Sequence, residues 1–321
     1  MGSPKPGHTQ HLVEDETLER IRSALGNGIL AAGRRDDAAV LDLPDGGNLV
    51  VSVDSTVEGV HVDLAVCQPA DVGWKALMGA LSDLAAMGAR PLGALVALCV
   101  PPGSGTGDLA VGVMEGVAEA SRASGCPVLG GDVSSAPTLV VSVTVLGTVD
   151  DGQPVSRDGA RPGDLVLVTG PCGGSAAGLR VLRSAGGTGE VDASRAAAYR
   201  RPVARLAEGM AARAAGARAL MDVSDGLALD LHRLATASGV GFALDDVPVG
   251  EGATLDEALA GGEDYELIVV VAPDVLDGMA REFAQAGLRP PLPMGVMTYD
   301  VAQREFKGRP LPPVGWQHLL G

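Results

Sequence analysis

The chain has 321 residues, of which 46% are hydrophobic and 2% aromatic, and its formal net charge at pH 7 is −16. The length predicts two domains, and the shortage of aromatic residues predicts a core built from Ala, Val and Leu. The net negative charge argues against binding to a nucleic acid or to an anionic membrane surface, but it permits phosphate ligands where divalent cations bridge them to the protein.

The N-terminal residues and the cysteines indicate the cellular environment. No apolar run reaches the roughly 18 to 20 residues that span a bilayer. The N-terminus has no hydrophobic signal region, so we expect a cytoplasmic protein with a disordered tail over residues 1–13. Its cysteines lie far apart with no C-x-x-C pair, which favours reduced thiols over a disulfide framework or a zinc site: Cys67, Cys99, Cys126 and Cys172.

Helices and strands alternate in the first half of the chain. Apolar periodicity predicts, in order, a helix over 15–26, a strand over 48–54, a helix over 70–89, a strand over 93–101, a helix over 107–124, and strands over 126–132 and 138–149. Asp83 lies in the last turns of the third element. A carboxylate there faces the negative end of the helix dipole, which costs up to about 1 kcal/mol.

The polar, turn-rich segment 150–164 is the predicted boundary between domains over 14–150 and 151–321. After it we predict a strand over 165–170, a helix from Ser175, a helix over 195–216, a strand–turn–helix unit over 219–241 and a strand over 266–272, followed by a tail rich in Pro and Gly. The alternation indicates an α/β or α+β fold of two domains, each with a mixed sheet.

Carboxylates recur where predicted strands begin or end, several of them beside glycines: Asp36, Asp37, Asp54, Asp132, Asp222, Asp225, Glu263 and Asp264. Clustered carboxylates raise one another's pKa, and Mg²⁺ relieves this because it takes oxygen ligands and keeps phosphate oxygens in its shell. The pattern therefore predicts a metal–nucleotide site. The alternative is that such residues serve turns and caps, with Asp225 capping the following helix.

Common nucleotide motifs are absent. "GPCGGSAAG" (170–178) has the glycines of a phosphate loop but lacks the G-K-[ST] ending. No G-x-G-x-x-G follows a strand, and the protein-kinase H-R-D and D-F-G motifs are missing. ATP would therefore require another architecture.

Longer segments resemble one enzyme family. They are "DDAAVL" (36–41), "VDSTVEGVHV" (53–62), "LSDLAAMGARP" (81–91), "LGGDVSS" (129–135), "SRDGARPGD" (156–164), "VTGPCGGSAAGL" (168–179), "MDVSDGLALDL" (221–231), "GGEDYEL" (261–267) and "GWQHL" (315–319). Their order and spacing are similar to those of bacterial thiamine-monophosphate kinase, which belongs with aminoimidazole-ribotide synthetase and selenophosphate synthetase. The resemblance implies γ-phosphoryl transfer from ATP to thiamine monophosphate, with several Mg²⁺ ions. It also implies a homodimer in which two N-terminal sheets pair into a barrel-like core.

The resemblance also assigns roles to single residues. It implies magnesium ligands at Asp37, Ser52, Val53 (through its carbonyl), Asp54, Asp83, Asp132, Asp222 and Asp225. It implies nucleotide contacts at Gly131, Asp132, Arg157 and Ser224, and substrate contacts at His61, Glu263 and Trp316. Asp54, Asp83, Asp132 and Arg157 are the expected catalytic set.

Other interpretations stay open at this point. Without the resemblance, His61 would be a surface residue beside a strand and Trp316 a packing residue. The alternative functions are those of another ATP-dependent enzyme of the superfamily and of a catalytically silent nucleotide-binding regulator. A selenophosphate synthetase is disfavoured because its reactive residue lies near the N-terminus, whereas the first cysteine here is Cys67.

Overall fold

The structure, a computed structural model, describes residues 17, 21, 23, 36–44, 46–184 and 193–318. The predicted tail over 1–13 lies outside the described residues, as does most of the predicted helix over 15–26, whose three described residues are helical. Among the described residues, no helix is both long enough and apolar enough to cross a membrane.

The N-terminal sheet has five strands in the order β1-β2-β5-β3-β4. They are β1 (Ala39–Asp42), β2 (Asn48–Val57), β3 (Arg90–Val100), β4 (Val128–Ser135) and β5 (Val140–Thr148). β3 and β4 run parallel, and the other neighbours are antiparallel. Every second residue of β5 is buried, so one face of the sheet packs against helices while the other does not.

Two helices, α1 (Pro69–Ala86) and α2 (Thr106–Ser124), belong to this domain. α1 begins with Pro69 after a capping box that joins Gln68 and Asp71. The two helices approach closely because Gly73 has no side chain. A Cβ on Gly73 would lie 1.8 Å from the carbonyl oxygen of Val113 on α2.

The C-terminal sheet has seven strands in the order β12-β11-β8-β10-β6-β9-β7. They are β6 (Leu165–Val168), β7 (Ala219–Asp222), β8 (Gly241–Leu244), β9 (Leu267–Val271), β10 (Leu292–Thr298), β11 (Arg304–Phe306) and β12 (Arg309–Pro310). Only the β8–β11 pair is parallel. All five residues of β9 are buried, as its unbroken apolar run predicts.

The helices of this half are α3 (Gly174–Ser184), α4 (Ala193–Arg200), α5 (Leu206–Ala214), α6 (Leu227–Ser238), α7 (Leu255–Ala260) and α8 (Leu276–Gln285). One expectation was wrong. The single helix predicted over 195–216 is two helices, because Pro202 interrupts the pattern. The Pro- and Gly-rich tail contains α8 and β10, and β10 accommodates its Pro293 and Gly295 through a register shift against β6.

Candidate active site

A cavity of about 560 Å³ lies where the two domains meet. Its wall combines β2 and the loop after it, one side of α1, the turn between β7 and α6, and the segments around residues 260–265 and 315–318. Eight of the predicted site residues line it: Asp54, His61, Asp83, Asp222, Ser224, Asp225, Glu263 and Trp316.

Three predicted metal positions that are distant in sequence meet at one side of this cavity. Asp37, Asp83 and Asp222 each offer a carboxylate oxygen within 4.8 Å of the others. Asp37 precedes β1, Asp83 lies in the last turn of α1, and Asp222 is the last residue of β7. The contact between α1 and β7 therefore builds a cluster that spans both domains.

Two serine hydroxyls orient these carboxylates. Ser52 Oγ donates to Asp83 Oδ2 at 2.5 Å, and Ser82 Oγ donates to Asp222 Oδ2 at 2.7 Å. Among the described residues, the buried Oδ2 atom of Asp37 has no hydrogen-bond partner. The cluster thus leaves an acceptor oxygen for a ligand.

The electrostatics of the cluster are unfavourable for three bare carboxylates. Burial raises the pKa of Asp37 to about 7, although the Arg157 guanidinium opposes the shift. Burial raises the pKa of Asp222 to about 6, opposed by the Ser82 hydrogen bond. Burial, together with the charges of Asp222 and Asp37, raises the pKa of Asp83 well above its usual range.

This donor set fits a magnesium ion. Mg²⁺ selects carboxylate, hydroxyl and carbonyl oxygens, and its charge would compensate a cluster that burial penalises. Ser52 and Val53 lie on β2 just beyond its last pairing with β1, which is Ala39 with Val51. Asp54, the next residue, lines the cavity from the same strand.

Arg157 compensates part of the negative charge. It forms an ion pair with Asp37, its Nε lies 3.6 Å from Asp36 Oδ1, and its backbone N–H donates to the same oxygen at 3.2 Å. Arg157 does not line the cavity. The structure therefore places this predicted nucleotide contact behind the carboxylates.

The turn between β7 and α6 carries Ser224 and Asp225 into the cavity wall. Asp225 does not cap the helix, since Gly226 is the N-cap residue and Asp225 forms an ion pair with Arg233. Instead the buried Asp230 accepts the backbone N–H groups of Ser224, Asp225 and Gly226 at 3.1, 2.9 and 3.0 Å. These three bonds fix the turn.

Aromatic rings gather at another part of the cavity wall. The ring centroids of His61 and Trp316 are 5.7 Å apart, and His318 lies 4.3 Å from Trp316 and 5.3 Å from His61. The Val57 N–H donates to His61 Nδ1 at 3.1 Å, and burial lowers the pKa of His61. Since Nδ1 accepts this hydrogen bond, the imidazole proton lies on Nε2.

Within one chain, the structure does not bring Asp132 to the other acids, and its magnesium role stays a prediction. Asp132 pairs in register with Ala97, which pairs with Ser142, and Ser142 pairs with Ser55. Paired residues lie on the same face of a sheet, so Asp132 shares a face with Ser55. The side chain of Asp54, the neighbour of Ser55 on β2, points to the opposite face. Asp132 and Gly131 are exposed on the edge strand β4 and do not line the cavity.

Sequence reasoning missed several residues of the site, including Tyr265 and His318. It also missed Lys75, whose buried ammonium contacts Glu263 at 2.6 Å. A usable signal was present, because residues 75, 79 and 83 share one helix face.

Comparisons with known proteins agree with this architecture. The family model described as AIR synthase related protein, N-terminal domain, matches residues 35–149, and the model of the C-terminal domain matches residues 161–298. The thiamine-monophosphate kinase of Bacillus subtilis is 38% identical over 288 residues, covering 85% of this chain and 86% of the relative. That of Caulobacter vibrioides is 35% identical over 321 residues, covering 95% and 90%.

Solved structures show the same likeness. The structure of AaThiL complexed with AMPPCP and TMP superposes with a TM-score of 0.83 at 28% identity, covering 98% of this chain and all of the other (100%). Thiamine-monophosphate kinase from Stenotrophomonas maltophilia has a TM-score of 0.75 at 32% identity, covering 94% and 96%. The chain therefore belongs to the thiamine-monophosphate kinase family of AIR synthase related proteins.

Proposed function

We propose that this protein transfers the γ-phosphoryl group of ATP to thiamine monophosphate and so produces thiamine diphosphate. Family membership supports this activity, as does the similarity to AaThiL, which was solved with AMPPCP and TMP. The observation that carries the proposal is that one cavity joins a cluster of buried and half-buried carboxylates to a wall of aromatic rings. Such a cavity suits an acceptor with a phosphate at one end and heteroaromatic rings at the other.

The carboxylates would hold Mg²⁺, with Asp37, Asp83 and Asp222 at the centre and Ser52, the Val53 carbonyl, Asp54 and Asp225 around them. When bound, the metal neutralises phosphate oxygens that would otherwise repel each other. The chain's own residues orient this set: Ser52 and Ser82 fix two of the carboxylates, and Arg157 fixes Asp37. The nucleotide contacts of Arg157 and Ser224 remain predictions.

The acceptor would need no general base, because a phosphate monoester is already ionised at neutral pH. The protein's task is to hold two anionic groups in line and to exclude competing acceptors. His61 and Trp316 would do this by packing on the substrate rings, since an aromatic wall favours a flat and cationic ring. Glu263 would add a hydrogen-bond acceptor.

We also infer that two copies pair through the uncovered face of the N-terminal sheet. The edge strand β4 is exposed at all its residues, Leu129 and Val133 are 57% and 67% exposed, and Val53 on the same uncovered face as Ser55 is 66% exposed. An unpaired edge with exposed apolar side chains favours an interface. Gly131 and Asp132 would then face the second copy. The expected cytoplasmic location also remains a prediction.

The direct test is phosphate transfer to a panel of phosphorylated acceptors with ATP and Mg²⁺, with products identified by mass spectrometry. We expect thiamine diphosphate from thiamine monophosphate, and ADP release that depends on this acceptor. Turnover of a different acceptor alone would indicate another superfamily enzyme. Nucleotide binding with no turnover of any acceptor would indicate a regulator.

A further inference from the structure

A buried cation lies behind the aromatic side of the cavity. The side chain of Lys75, on α1, is 2% exposed, and Lys75 does not itself line the cavity. Its ammonium lies 2.6 Å from Glu263 Oε2, donates to the carbonyl oxygen of His61 at 3.3 Å, and lies 3.8 Å from the ring centroid of Tyr199. A buried ammonium is stable only when it is compensated in this way.

The partner, Glu263, is held in an unusual conformation. Its φ is +65°, a left-handed value that is uncommon outside glycine, and its backbone N–H donates to the Ser224 carbonyl at 2.7 Å. Its side chain is 24% exposed and lines the cavity. Because Lys75 engages Oε2, the other carboxylate oxygen is left to accept a hydrogen bond from a ligand.

The same ammonium also supports the ring wall. The His61 carbonyl accepts from Lys75 and, at 3.3 Å, from the Tyr199 hydroxyl. One buried cation thus ties the His61 backbone to the Glu263 carboxylate. Both residues border the space beside Trp316.

Lys75 lies on the same helix face as the metal cluster. Residues 75, 79 and 83 are spaced by four, so Lys75 and Asp83 are about 12 Å apart along α1. Between them, Gly79 leaves room for Asp54 and Tyr265, since a Cβ at Gly79 would lie 3.2 Å from Asp54 Oδ2 and 3.0 Å from Tyr265 Oη. One rigid helix therefore sets the separation of the carboxylates from the aromatic wall.

We propose that Lys75 is a positioning residue that fixes Glu263 Oε1 as the acceptor for the exocyclic amino group of an aminopyrimidine substrate. This rests on the proposed function, because thiamine monophosphate carries such a group. Lys75 touches no substrate atom; it fixes the orientation of the Glu263 carboxylate. The Glu263 carboxylate held in this way favours an amino group, which donates a hydrogen bond to it, over a carbonyl oxygen, which it repels.

The experiment compares thiamine monophosphate with its oxo analogue, in which a carbonyl oxygen replaces the amino group. Turnover of thiamine monophosphate by the wild type comes first, and its absence would contradict the proposed function itself. Given turnover, we expect the wild type to prefer the amine by about 10- to 100-fold in kcat/KM, as for a hydrogen bond to a charged group. Equal use of both compounds would overturn the positioning role alone.

In Lys75→Met we expect most of this preference to disappear and KM for thiamine monophosphate to rise about tenfold, while KM for ATP stays within about twofold. Lys75→Arg, which keeps the cation, should recover the preference. A merely structural lysine would instead affect both KM values alike and leave the preference intact, which would contradict the proposal.

The matched control is Arg218→Met. Arg218 forms a 2.6 Å ion pair with Asp164, whose side chain is 2% exposed, and neither residue lines the cavity. This variant should lower stability without changing the amine preference. If Lys75→Met does not fold, Glu263→Gln tests the pair from the other side: loss of the preference supports the proposal, and an unchanged preference overturns it.

Discussion

At the scale of single residues, Asp83 is the most informative position. Its carboxylate lies at the unfavourable end of α1, where it accepts from the Ser52 hydroxyl and lies beside the carboxylates of Asp37 and Asp222. The helix dipole, burial and the neighbouring carboxylates all penalise this side chain, so we expect it to have a functional role. A bound divalent cation would offset all three penalties.

Replacing Asp83 with Asn removes one negative charge from the cluster and keeps its shape. We expect kcat to fall by about 10²- to 10³-fold, since a lost electrostatic contact in the transition state has this effect. We also expect a higher Mg²⁺ concentration for half-maximal rate. Steady-state kinetics over a Mg²⁺ titration would measure both, and an unchanged rate at limiting Mg²⁺ would exclude Asp83 as a ligand.

At the scale of elements, α1 connects the two ends of the cavity and also packs on α2. Its contact with α2 depends on Gly73, where a Cβ would overlap a carbonyl oxygen of the facing helix. Helix propensity alone would favour Ala there by up to about 1 kcal/mol. Close packing therefore prevails over propensity at this position.

We expect Gly73→Ala to lower the free energy of unfolding by at least about 2 kcal/mol, because α1 and α2 must move apart. Gly107→Ala on α2 is the control, since a Cβ there meets nothing within 4 Å. It should be neutral or stabilise by up to about 1 kcal/mol. Chemical denaturation measures both, and equal effects of the two variants would contradict this account of the packing.

At the scale of the whole molecule, the buried carboxylates make stability depend on pH and metal. Folding raises the pKa of Asp37 to about 7 and that of Asp222 to about 6, from an ordinary value near 3.8. At a pH between the ordinary pKa and the raised pKa of each group, the folded state holds a proton that the unfolded state has released. The contribution of these groups to the stability of metal-free protein therefore falls as pH rises from about 4 to 7.

Magnesium should reverse this trend, because it binds the ionised carboxylates. At pH 8 we expect Mg²⁺ at 100 times its Kd to stabilise the folded state by about 2–3 kcal/mol and so to raise Tm by several degrees. At pH 5.5 we expect a much smaller rise in Tm. Scanning calorimetry with EDTA or MgCl₂ tests this. An equal Tm gain at both pH values, or the same gain in Asp37→Asn, would refute it.

The uncovered sheet face gives a prediction on assembly. We expect a dimer by light scattering, and a monomer or a weaker dimer for Leu129→Glu, since a charge buried in an apolar interface is costly. Tyr299→Glu is the control, because Tyr299 is 87% exposed and follows β10 in the C-terminal sheet. A wild-type monomer at micromolar concentration would contradict the pairing.

Much of this protein follows from its sequence alone. Apolar periodicity predicted β2, α1, α2, β5 and β9 because their patterns are long and regular, and motif spacing predicted the family. Local patterns did not reveal β10, because Pro293 and Gly295 interrupt its pattern and its register against β6 shifts between them. They also could not separate Asp132 from the other acids, because the face on which a strand residue lies depends on how the sheet is paired.

Only the tertiary structure decided which acids meet. Asp37, Asp83 and Asp222 are predicted by position, yet their convergence depends on packing between α1 and β7. The same packing made Lys75 a buried partner of Glu263 rather than a surface charge. A sequence determines residue types and local periodicity, whereas burial and charge compensation depend on distances between segments that are remote along the chain.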